Sequence, residues 1–193
     1  MRVVLINTKE ATERLRKVKI ELLKTSLNYE IVTAFPVESI KNTTEGWTDG
    51  ADSLRRTTIK IVKDSIGKNE PLWIWEDDCV VTEYKFKKFM KDLYMLKNYD
   101  FIHLAHHSDG GLFSTDTLGC FRKTLSGVYN CQSYIISPNI MEEYLFFLQR
   151  PVPIDQSTKD LHFKYKNSYI VEPSPVSHKT GEFSTIRQKI VKY

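Results

Sequence analysis

No run of apolar residues reaches the roughly 18 that a bilayer-crossing helix needs, so the sequence predicts no transmembrane segment. The opening apolar stretch, Val3-Val4-Leu5-Ile6, is too short for a secretory signal, and we expect a cytoplasmic protein that begins directly with a strand. Cysteine is sparse: Cys79, Cys120 and Cys131 are odd in number and lack CxxC spacing, which argues against a disulfide framework or a structural zinc and for free, buried thiols. An excess of one charge sign is nearly absent, with 28 Lys and Arg against 24 Asp and Glu. A net charge of +4 suits a sugar nucleotide, an anionic membrane surface or nucleic acid, and is too small to choose among them. Internal repeats and low-complexity linkers are also missing, so residues 1–193 are expected to form a single domain.

What is present is a folded composition, 41% hydrophobic with 12% aromatic, enough apolar surface to offset ordering entropy. Continuous β-prone runs at 3–6, 29–35, 72–75, 99–104, 132–137 and 169–171 predict strands. Helical periodicity predicts helices over 11–27, with Thr8 and Thr12 as possible caps, and over 52–65, 84–96 and 139–149, the last with Pro138 in its first turn. The polar stretch 106–130 is expected to be a long loop, with a short hairpin and a role as a lid. The basic tail 184–193 is expected to be loop or helix. The lysine-rich segments 14–19 and 85–91 have interleaved apolar residues, as solvated faces of amphipathic helices do.

The unusual junction is Leu72-Trp73-Ile74-Trp75 running straight into Glu76-Asp77-Asp78. Three adjacent carboxylates at the end of a buried strand repel one another, and burying a charge is costly without a compensating partner. Ligands of α/β sheets bind beyond the carboxyl ends of strands, and hard oxygen donors suit Mn2+ or Mg2+ shared with substrate phosphates. Such an ion would neutralise a departing diphosphate. The same triplet is also compatible with an exposed acidic turn or a helix N-terminus.

In order along the chain, several segments resemble glycosyltransferase family 25, which contains lipopolysaccharide-biosynthesis and procollagen galactosyltransferases. Val3-Val4-Leu5-Ile6-Asn7 with Glu13-Arg14-Leu15-Arg16 is similar to the family's opening strand and arginine-rich helix start, and Leu72 onward to its apolar strand ending in Glu-Asp-Asp. Asp100-Phe101-Ile102-His103-Leu104-Ala105, Ser133-Tyr134-Ile135-Ile136-Ser137, Pro153-Ile154-Asp155, Glu172-Pro173-Ser174-Pro175-Val176-Ser177-His178 and Ser184-Thr185-Ile186 continue the match. The chain departs from the family at Leu54, where histidine commonly follows serine, and is shorter than typical members.

The resemblance implies a GT-A type fold, a Rossmann-like α/β/α sandwich with a mostly parallel central sheet. It implies an inverting hexosyl- or pentosyltransferase that moves a sugar from a nucleotide-diphosphate donor, a UDP-sugar above all, to the hydroxyl of a surface glycan. Asp78 and His178 would be metal ligands, Asp155 the general base, and Asn7, Thr8, Arg14, Glu76 and Asp77 donor-binding residues. From the residues alone Asp155 is equally a helix N-cap for 156–163. Three other readings stay open. The acceptor could be a hydroxymethylated base in DNA, with Lys85, Lys87, Lys88, Lys91, Arg122, Lys123, Arg187 and Lys189 contacting phosphates. The chain could instead be a non-catalytic binding module, or a hydrolytic metalloenzyme using His103, His106 and His107.

Overall fold

In the computed structural model, which describes residues 1–36, 49–105, 112–128, 131–178, 183–184 and 189–190, strand side chains alternate between two cores, as a two-residue period requires. Strand β1 (Arg2–Asn7) sends Val3 and Leu5 into one core and Val4 and Ile6 into the other. The strand over Leu72–Glu76, β3, does the same with Trp73 and Trp75 against Leu72 and Ile74. Both strands are covered on both faces, which is why each is a continuous apolar run.

The main sheet also contains β2 (Glu30–Thr33), β5 (Phe101–His103), β6 (Phe113–Leu118), β7 (Phe121–Thr124), β8 (Ser133–Ile136) and β9 (Ser168–Val171), in the order β2-β1-β3-β8-β5-β9-β7-β6. β1 is parallel to β2 and β3, and β5 to β9; β8 is antiparallel to β3 and β5, and β7 to β9 and β6. Six of the eight strands therefore point the same way, with β8 and β7 reversed, as a mostly parallel sheet demands.

Helices α1 (Thr12–Leu23) and α3 (Glu83–Met95) cover the first core with Val18, Leu22, Phe86 and Phe89. The second core is closed by α2 (Asp49–Lys63), α4 (Met141–Leu148) and α5 (Ile154–Lys164) through Ile61, Val62, Tyr144, Leu148 and Leu161. The result is an α/β/α sandwich. Trp73 anchors the first core, with ring centroids 5.8 Å from Phe86 and 5.7 Å from Phe89. Its indole N–H donates to Ser133 Oγ at 3.0 Å, so the ring is buried with its polar edge satisfied.

Chain order now creates a crevice. α1 leads from β1 to β2 across one face, and α2 leads from β2 to β3 across the other, with β1 between them. Where consecutive connections depart to opposite faces, the carboxyl ends of adjacent strands are left open to a ligand. Here those ends belong to β1 and β3.

Several expectations need correction. The cap of α1 is Ala11, without a side-chain cap bond, so neither Thr8 nor Thr12 serves. The stretch 106–130 is less loop than expected: residues 113–124 form the β6–β7 hairpin at the sheet edge, and 106–111 and 129–130 lie outside the described residues. A short pair escaped notice, β4 (Cys79–Val81) with β10 (Val176–His178), each too brief for a period to register. In the tail, β11 (Phe183–Ser184) pairs with β12 (Lys189–Ile190), where loop or helix was expected. The three cysteines are free and buried, and no helix among the described residues is long and apolar enough to cross a membrane.

Candidate active site

The register Ile6↔Glu76 sets the ends of β1 and β3 side by side, so the residues just beyond them meet. Asn7 Nδ2–H donates to Asp77 Oδ2 at 2.6 Å and also reaches the Ala11 carbonyl at 3.3 Å. Thr8 follows in the turn, its carbonyl accepting Ala11 N–H at 3.0 Å. The first turn of α1 then brings Arg14, whose Nη2–H donates to Asp77 Oδ1 and lies 3.8 Å from Asp78 Oδ2. Asn7, Arg14, Asp77 and Asp78, separated by up to 71 positions, thus form one cluster at the crevice.

Asp77 is only 7% exposed. Burial pushes its carboxyl up to about 6, the nearby Asp78 charge adding to this while Arg14 and Asn7 oppose it. Removing water from a carboxylate disfavours its charged form, and one guanidinium does not fully restore it. Glu76 is raised well above the ordinary carboxylate range, first by burial and then by Asp78, Asp155 and Asp77, with Arg14 counteracting. The site holds more negative charge than its arginine neutralises.

Asp155 belongs to that field although it lies far along the chain. It is the second residue of α5, where Pro153 occupies the cap position without a side-chain cap bond, so the N-cap reading of Asp155 is overturned. Its charge acts on Glu76 and on the Cys131 thiol, disfavouring the ionised form of each. Cys131 also lies 3.1 Å from Thr158 Oγ1, one turn further along α5. Cys131 and Gln132 were not singled out from the sequence. Gln132 opposes the end of β3, its carbonyl accepting Glu76 N–H at 2.8 Å and the Cys79 thiol at 3.3 Å. The available signal was positional: residues just before the 132–137 run must face the end of whichever strand that run pairs with.

His178 arrives by backbone register. β10 pairs antiparallel with β4 so that His178 is opposite Cys79, the residue after Asp78. His103 is not near this group as a ligand. It is buried within β5, its Nε2 2.9 Å from His162 Nε2, which overturns the histidine metalloenzyme reading for this residue; His106 and His107 lie outside the described residues. Leu54 packs against the second core, and Ser53 Oγ donates to the Phe35 carbonyl. Among the proposed phosphate contacts, Arg122 is engaged with Glu172 at 2.9 Å and with the Ser114 carbonyl at 2.7 Å, and Arg187 lies outside the described residues.

No family model and no curated protein sequence matches the chain. Solved structures do. A glycosyltransferase involved in the glycosylation of the major capsid of PBCV-1 superposes with a TM-score of 0.56 at 12% identity, over 94% of this chain and 93% of that one. The fold is Rossmann-like, of the GT-A type. A197 from STIV has the same arrangement, with a TM-score of 0.50 at 16% identity over 100% of this chain and 95% of that one. In open α/β sheets the crevice beyond the carboxyl ends at the switch point, here those of β1 and β3, is the place where ligands bind.

Among the described residues, no three His, Cys, Asp or Glu side chains converge as a ready-made metal cage. The donor chemistry at the crevice, the Asp78 carboxylate beside Asp77, is the hard-oxygen kind that Mg2+ or Mn2+ takes together with substrate oxygens.

Proposed function

We propose that the protein is a glycosyltransferase that takes a sugar from a nucleotide-diphosphate donor, a UDP-sugar foremost, and passes it with inversion to an acceptor hydroxyl on a glycan. The observation that carries this reading is the Asn7–Arg14–Asp77–Asp78 cluster at the switch-point crevice of a GT-A type fold, with Asp155 electrostatically coupled to it. The collinear resemblance to glycosyltransferase family 25 supports the same assignment.

In this reading Asn7 and Arg14 fix Asp77 so that it meets the donor with one orientation, and Thr8 borders the nucleotide. Glu76, whose charged form is disfavoured, closes the floor. Asp78, with His178 opposite the next residue, Cys79, in the strand register, would hold Mn2+ or Mg2+, which would supply charge neutralisation at the leaving diphosphate. Asp155 accepts the acceptor's proton as its oxygen attacks the anomeric carbon; the bond to the diphosphate breaks and the nucleoside diphosphate departs with the bonding electrons.

A thermal-shift titration with UDP, GDP, CDP and dTDP, each with and without Mn2+, tests the donor side directly. Metal-dependent stabilisation by one nucleotide, lost in Asp78→Ala with the fold intact, is the expected result. Equal behaviour of Asp78→Ala and the parent would remove Asp78 from the site, and no shift with any nucleotide would favour a non-catalytic binding module.

A further inference from the structure

We propose that the outer face of α1 and α3 docks the protein onto an anionic membrane surface. Among the described residues, the four most exposed large hydrophobic side chains are Tyr94 at 87%, Leu23 at 79%, Met95 at 75% and Tyr84 at 72%. All four lie at or near the ends of α1 and α3, the two helices that cover the same core from outside. Exposed aromatic and aliphatic groups scattered singly are ordinary, but four concentrated on one layer are a surface feature with a use.

The charge lies there too. From 12 to 24 and 83 to 97, setting aside Arg14 because it faces Asp77, nine basic side chains stand against four acidic ones. That surplus alone exceeds the +4 of the whole chain, so the remainder of the molecule is close to neutral. On α3 the pattern is a stripe: Tyr84, Lys87 and Lys88, Lys91, then Tyr94 and Met95 recur three or four residues apart, and those six are exposed, which places them on one side of the helix. The end of α1 is tied close to the start of α3, since Glu21 of α1 accepts the backbone N–H of Val81, two residues before α3 begins, at 2.9 Å.

Lysines interleaved with tyrosine, leucine and methionine fit a phospholipid interface: ammonium groups meet the headgroups, tyrosines sit at the headgroup level, and aliphatic chains enter the acyl boundary. A nucleic-acid backbone would use the lysines and offer nothing to Leu23 or Met95. This inference is independent of the transfer chemistry.

The test is flotation of the whole chain with vesicles of phosphatidylcholine alone and of phosphatidylcholine containing about 30% phosphatidylserine, at about 0.15 M salt. Binding to the second and not the first is expected. Two exposed-residue variants separate the contributions: Lys91→Ala/Lys97→Ala and Tyr94→Ser/Met95→Ser should each weaken binding by about tenfold or more, with unchanged circular dichroism. The proposal is overturned if anionic vesicles are not bound. It is equally overturned if Tyr94→Ser/Met95→Ser binds them as well as the parent does, or if a DNA duplex binds this face more tightly than the vesicles do.

Discussion

Two groups, the half-buried Asp155 and the buried His162, show what individual side chains contribute to this fold. Asp155 sits where its charge raises the pKa of both Glu76 and Cys131, a position that, in the proposed reading, suits it to accept a proton at the crevice. Asp155→Asn should lower the rate of sugar transfer by about 10²- to 10⁴-fold while leaving donor affinity unchanged, the signature of a lost general base. Single-turnover kinetics beside nucleotide titration would show it, and an unaltered rate would release Asp155 from that role. His162 is buried and accepts Val128 N–H on Nδ1 at 3.0 Å, so its proton is on Nε2 and points to His103 Nε2. Burial lowers its pKa to about 4. A histidine with a folded-state pKa below its unfolded value contributes stability that is complete above about pH 6.5 and is lost as pH falls toward 4. That loss should approach roughly 3 kcal/mol, an order-of-magnitude figure. Urea unfolding at about pH 7 and about pH 4.5 should show a smaller acid penalty in His162→Gln than in the parent, after allowance for the neutral-pH cost of the substitution.

At the level of elements, the Arg14–Asp77 pair fastens the first turn of α1 to the end of β3. Removing the guanidinium leaves a 7%-exposed carboxylate among like charges. Arg14→Met is therefore expected to cost about 3 kcal/mol, at the low end for a broken buried pair because Arg14 is partly solvated. Asp77→Asn in the same chain should restore much of that loss, and a double-mutant cycle by urea denaturation would measure the coupling. The elements that sequence periodicity foresaw are those that touch the core along their length. β1, β3, β5 and β8 are apolar runs because both faces are covered, and α3 repeats Phe86, Phe89 and Leu93 because one face is. β4 and β10 were missed because three residues contain barely one alternation, and their pairing joins positions almost a hundred residues apart.

Across the whole molecule, a crevice lined by carboxylates makes ligand binding a stability effect. If a nucleoside diphosphate with Mn2+ occupies the site at about one hundred times its Kd, mass action adds about 2.7 kcal/mol, and a chain of this size should melt roughly 5 to 11 °C higher. Chelation should reverse the shift. A nucleotide effect identical with and without metal would leave the fold and the crevice in place and remove the ion from the site.

Hydrophobic order along the chain, by itself, determined an alternating α/β architecture, because burial on one or two faces imposes a period that survives in the residues. It also pointed to where chemistry should be sought, since three carboxylates directly after a buried strand are costly wherever they are not solvated or compensated. What only the tertiary structure decided is who those partners are. Asn7 and Arg14 reach Asp77 because the β2-β1-β3 order sets β1 beside β3; Asp155 and Cys131 join them because β8 inserts antiparallel next to β3 and α5 packs behind it. Strand order is a property of long-range packing and leaves no local period, so the pairing of Asp77 with Arg14, and the approach of Asp155 to Glu76, emerge only when the chain is folded.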